Sequence, residues 1–138
     1  MLVRLSHSHI RIGSFQRLAY MDDMDGIEIL ARHVARYYFS ESEKIGDLEL
    51  DGLDPDAPLA DLLPSLLLRI SAAIANTVGS WLAAGFVHGV LNTDNFNVTG
   101  ESFDYGPWRF LPQFDPSLTA AYFDQTGRYA YGRQSDAG

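Results

Sequence analysis

Cysteine is absent from the 138 residues. That excludes disulfides and thiolate metal sites, and it suits a reducing compartment such as the cytoplasm. Lysine occurs once, at Lys44. Basic residues number 10 against 18 acidic ones, and the net charge of −8 argues against nucleic acid, whose phosphates an acidic surface repels. No run of about 20 apolar residues is present, so no membrane span is expected. The opening Met1-Leu2-Val3-Arg4 is too short an apolar run for a signal peptide.

What is there suits a folded domain. Apolar residues make up 46% and aromatics 12%, enough for one core and too many for a disordered chain. The acidity is local: residues 41–61 carry eight carboxylates and Lys44, a net of −7 that leaves the rest of the chain near −1. With Gly46, Gly52, Pro55 and Pro58, residues 41–60 read as an acidic, solvated loop.

The coarse elements follow from periodicity. Leu2–Leu5 reads as a short strand, and 6–13 as extended chain with His7, His9 and Arg11 on alternate positions. Asp22 or Asp23 can cap a helix to about Tyr38, with Ile27, Leu30, Ala31 and Val34 inside and a Glu28–Arg32 pair outside. Asp61 reads as the cap of a long helix with Pro64 in its first turn and Gly85 just past its end. Its stripe is Leu63, Leu66, Leu67, Ile70, Ile74, Thr77, Val78 and Trp81, with Ser65, Arg69, Asn76 and Ser80 opposite. Phe96–Val98 and Ser102–Phe103 suggest a hairpin, and 117–122 carries a short helical hint. The fold class is α+β.

The chemistry sits after the long helix. His88-Gly89-Val90-Leu91-Asn92-Thr93-Asp94-Asn95 is a polar loop, and Asp104-Tyr105-Gly106 begins nine residues after Asn95. The Asn95 carboxamide and the Asp104 carboxylate flank one hairpin, so their oxygens can converge on magnesium or manganese. Phosphoryl and nucleotidyl transfer need such an ion to neutralise phosphate charge. A protein kinase has the same skeleton of helix, His-led loop ending in Asn, hairpin and Asp-aromatic-Gly. A kinase also has its catalytic Asp two residues after that His, where this chain has Val90. Either the chain is a dead kinase or Asp94, the loop's carboxylate, serves a different geometry.

The loop, with Asp104-Tyr105-Gly106-Pro107, resembles the signature of the SelO/YdiU family of protein adenylyltransferases. Ser8-His9-Ile10-Arg11-Ile12-Gly13-Ser14-Phe15, Phe114-Asp115-Pro116 and Gly127-Arg128-Tyr129 are similar to other motifs of that family, so the resemblance runs through almost all of residues 1–134. It implies a protein-kinase-like fold, of which this chain is the C-lobe-like central portion. It also implies transfer of AMP from ATP to Ser, Thr or Tyr hydroxyls of protein substrates, with release of pyrophosphate. By resemblance Asp94 falls at the catalytic base, Asn95 and Asp104 at the metal ligands, and Arg4 and Arg11 at arginines that hold ATP phosphates, Asp104 also serving the bound nucleotide. Guanidinium forks suit phosphate oxygens on independent grounds. The family's glycine-rich loop and lysine–glutamate pair lie upstream of these motifs and its helical part downstream, so the chain reads as a central piece. Arg133 stands where the family more often has Asn.

Structural alternatives accompany each assignment. Asp94 can be a turn residue, Arg4 and Arg11 can be surface arginines, and His88 reads as a support for its loop. His7 and His9 lack a third ligand for a metal. A γ-phosphoryl-transferring kinase and a noncatalytic remnant that binds a partner are the rival functions. Apolar surface left uncovered by so short a chain predicts self-association.

Overall fold

The computed structural model describes residues 5–136. Arg4 and most of the expected Leu2–Leu5 strand lie outside them. Three helices carry the architecture: α1 (Ile12–Tyr20), α2 (Met24–Tyr38) and the 25-residue α3 (Leu59–Ala83). Two small antiparallel sheets complete it. One pairs β1 (Glu43–Ile45) with β2 (Leu48–Leu50), and the other pairs β3 (Phe86–Val87) with β4 (Arg109–Phe110). A 3-10 helix, Tyr131–Asp136, follows. The class is α+β, as the sequence implies.

Helix α1 is the element periodicity missed. Its first residues were expected to be extended, and only the stretch before Ile12 is: Arg11 pairs with Asn97, and Val98 N donates to Ile10 O at 2.8 Å. Arg11 caps α1 with no side-chain bond. The orphan amides of the first turn go instead to loop carbonyls far along the chain. Ile12 N donates to Phe96 O and Gly13 N to Thr93 O, each at 3.0 Å. Helix α2 keeps the expected cap, with Asp23 accepting from Gly26 N at 2.8 Å.

The acidic segment is more ordered than a solvated loop, because it contains the β1–β2 hairpin. Arginines hold it down. Arg32 pairs with Glu28 at 2.8 Å and donates to Pro55 O and Ala57 O, and Arg36 meets Asp56 at 3.0 Å. Arg69, expected on the polar side of α3, is 2% exposed. It donates to Leu50 O at 2.9 Å and Glu41 O at 3.1 Å, and lies over the Phe39 ring.

Helix α3 begins earlier than Asp61 implies. Pro58 occupies the cap position, Asp61 lies in the first turn, and Pro64 falls inside the helix. The buried stripe is Leu62, Leu66, Ile70, Ile74 and Val78, while Leu67 is exposed. By length and composition α3 could cross a membrane, although the sequence shows no unbroken apolar run. Its stripe packs with Ala31, Val34, Phe39, Leu91, Phe96 and Val98 as the core of the fold. Gly85 ends it at φ +67°, a left-handed position that suits glycine.

Beyond α3 the expected 96–98/102–103 strands reduce to a single Phe96–Ser102 bridge within a tight hairpin. Asn97 N still donates to Glu101 O at 2.8 Å and Phe103 N to Asn95 O at 2.6 Å. The helical hint at 117–122 is a series of turns, with the Asp115 carboxylate accepting from Ser117 N and Oγ.

Candidate functional site

The loop 88–95 is held from beneath by His88, whose side chain is fully buried. Its Nε2 lies 2.9 Å from both Ser102 Oγ and the Asp104 carbonyl oxygen, and Val90 N donates to Nδ1 at 3.4 Å. A ring that accepts at Nδ1 and donates at Nε2 is the neutral imidazole. Burial lowers its basicity, opposed by the Asp104 carbonyl and carboxylate and by Val90. This is the supporting role expected of it. Sequence reasoning missed the second support, Gln134, which accepts from His88 N and donates to Phe86 O, both at 2.8 Å. Its neighbour Arg133 lines a hollow with Arg128, Asn92 and Thr93 behind the loop.

Above this floor the candidate residues gather. Asn95 Nδ2 donates to Asp104 Oδ1 at 2.6 Å, so the carboxamide meets the carboxylate through its nitrogen and not through the oxygen that a cation takes. Asp94 directly precedes Asn95, and its amide donates to Asn92 Oδ1 at 2.9 Å. Its exposed carboxylate opens into a polar hollow lined by Arg11, Gly13, Ser14, Gln16 and Arg17. The Arg11 guanidinium lies 4.7 Å from the Phe103 ring centroid, a cation–π contact that fixes its direction. Arg17 was not singled out from the sequence. Only the unforeseen helix α1 brings it to the same hollow as Asp94. Two guanidiniums and one carboxylate leave this hollow net positive in an otherwise acidic chain. Arg4 lies outside the described residues.

The donor set fits a hard divalent cation in one respect. Asn95 Oδ1 is buried and has no hydrogen-bond partner among the described residues, while Nδ2 of the same carboxamide faces the Asp104 carboxylate. An orphaned buried acceptor is costly, and an oxygen-seeking cation would satisfy it. Among the described residues no group of three or more His, Cys, Asp or Glu gathers as a metal cluster. Two protein oxygens suit magnesium, which fills its shell with phosphates and water. His7 is engaged with Glu101 at 3.1 Å rather than in a metal pair with His9.

A hairpin that joins Asn95 to Asp104 beside the Asp94 carboxylate offers oxygen donors of the kind a hard cation takes, and comparison with known proteins places the chain in a family. The model of the family described as "Protein adenylyltransferase SelO" matches residues 1–137. The chain is 44% identical over 133 residues to the protein nucleotidyltransferase YdiU of Trichodesmium erythraeum, covering 96% of this chain and 27% of that protein. Against the YdiU of Synechocystis sp. it is 43% identical over 134 residues, with 96% and 26% covered. Against that of Methylorubrum extorquens the identity is 40% over 133 residues, with 96% and 24% covered. The chain belongs to the SelO family, and it spans about a quarter of the length of these curated relatives.

Proposed function

We propose that these residues form the catalytic-loop side of an ATP-dependent protein adenylyltransferase. The observation that carries the reading is the Asn95–Asp104 pair at 2.6 Å with its unsatisfied Asn95 oxygen, immediately after Asp94. Val90 supports it from the other side, because the position where a kinase has its base cannot take a proton here. The kinase-like fold belongs to the same proposal. So do the cytoplasmic location and the glycine-rich and lysine-bearing parts that the rest of a longer protein would supply.

The step then runs as follows. Asp94 accepts the proton of a Ser, Thr or Tyr hydroxyl on the substrate protein. The hydroxyl oxygen attacks the α-phosphorus of ATP, the bond from that phosphorus to the bridging oxygen breaks, and pyrophosphate leaves. Arg11 and Arg17 hold phosphate oxygens with their guanidinium forks, and Arg4 shares that task by family resemblance. Asn95 Oδ1 and the Asp104 carboxylate would hold Mg2+ or Mn2+, which neutralises phosphate charge when bound. His88 and Gln134 keep the loop rigid, so the positioning is set before substrate arrives.

Transfer from ATP labelled separately at the α- and γ-phosphates tests the reading, using the protein as its gene encodes it. Label enters acceptor protein from the α position. Label from the γ position alone would establish a kinase instead. Transfer of neither, with nucleotide still bound, would remove the transferase reading in favour of a noncatalytic one.

A further inference from the structure

We propose that Gly13 is a positioning residue for Asp94, setting the carboxylate in place by leaving out a side chain. The inference rests on the adenylyltransferase reading above.

Gly13 lies in the first turn of α1, and its amide donates to Thr93 O at 3.0 Å, which presses the helix start against the loop. Thr93 Oγ1 fastens the same contact from the side, donating to Gln16 Oε1 at 2.6 Å. A Cβ built on Gly13 would overlap Asp94 Oδ1 and stand 3.1 Å from Asp94 Cγ. Among the described residues the Asp94 carboxylate accepts no hydrogen bond, and only its backbone amide is tied down, at 2.9 Å to Asn92. No hydrogen bond among the described residues therefore fixes the rotamer of this carboxylate, which lies in the space that a Gly13 side chain would fill.

The physical consequence is a split between stability and turnover. The group that must yield to a new methyl is the free end of an exposed side chain, so it swings aside at little cost to the fold. The backbone of Gly13 is ordinary helix, without a positive φ, and alanine is the better helix former there. Turnover behaves in the opposite way, because a base displaced by about 1 Å can lose on the order of 100-fold in rate.

The test compares Gly13→Ala with Asp94→Ala, the double variant and Gly79→Ala in the protein as its gene encodes it. Gly79 is a control on α3, where a Cβ would meet nothing within 4 Å. Gly13→Ala is expected to keep or raise Tm and to leave the KM for ATP unchanged. Its kcat should fall about 100-fold. In the Asp94→Ala background the same change should do nothing further, and Gly79→Ala should turn over normally. A Gly13→Ala enzyme with near-normal kcat, a lowered Tm, or an undiminished effect in the Asp94→Ala background would overturn the positioning role while leaving the reaction itself intact. Full turnover in Asp94→Ala alone would instead overturn the role of Asp94 in the reaction, and this inference with it.

Discussion

His88 is a titratable ring buried beneath the loop, and that makes it a pH-dependent support. Burial lowers its pKa from the usual 6.5, more than the Asp104 carbonyl, the Asp104 carboxylate and Val90 raise it. The folded protein therefore binds this proton less readily than the unfolded chain. Stability from the neutral ring is complete above pH 6.5 and is lost as pH falls below it, since the unfolded chain gains a proton that the fold refuses. Thermal melts from neutral to about pH 5 should show Tm falling. His88→Gln should weaken that slope even if it lowers Tm throughout. An identical slope in the variant would place the sensitivity elsewhere. The same ring orders the Asp104 backbone, so what the sequence offers as a loop-opening His-Gly pair is in the structure a strut beneath the candidate metal ligands.

At the scale of elements, Arg69 ties a hairpin to a helix. Its guanidinium serves the carbonyls of Leu50 and Glu41 from the flank of α3, and its Glu43 contact at 3.4 Å is secondary. Arg69→Met should cost about 2–4 kcal/mol, because buried carbonyls lose charged donors. The loss should appear in denaturant melts, with faster amide exchange confined to residues 41–52. Uniform exchange across the chain would show that the hairpin does not depend on this residue. The helical period placed Arg69 away from the apolar stripe and hence toward water. It could not foresee that an acidic segment folds over that flank: the two-residue Gly46-Asp47 connection between Ile45 and Leu48 is a local hairpin signal, but the density of carboxylates around it reads as a solvated loop. Helix α1 was illegible for a related reason: its first amides are satisfied by Thr93 and Phe96, some eighty residues away, and not by a neighbouring Ser or Asp that a reader can see. Helices α2 and α3 were legible because their stripes and, for α2, the Asp23 cap are local. The Asn95–Asp104 pair was legible because one tight hairpin joins them. Arg17 and Gln134 were not, because each reaches the loop only through tertiary packing.

The molecule as a whole exposes more than its mass warrants. A compact 15.3 kDa protein should present about 7,100 Å² of surface, whereas this chain presents 8702 Å². The excess, roughly 1,600 Å², is about twice what one partner contributes to an interface of standard size, around 800 Å². Part of it is apolar and contiguous. Trp81, Phe86, Tyr105, Trp108 and Phe110 line a greasy groove beside Asp104, and Trp108 and Phe110 are more than half exposed. The exposed β4 borders it, on a sheet of only two strands. Surface of this kind in water is relieved by contact with more protein. The 138-residue chain on its own should therefore self-associate, with a weight-average mass in sedimentation that rises with concentration. Trp108→Ser and Phe110→Ser together should reduce that rise without lowering Tm much, because both side chains already lie largely in solvent. A chain that stays monomeric at roughly 100 μM, melts cooperatively and is unaffected by the double substitution would show that this face is tolerated bare. The same experiment bears on the candidate site. The groove shares Tyr105 with the Asp104-Tyr105-Gly106 segment, so whatever covers the aromatics lies next to the candidate metal ligand.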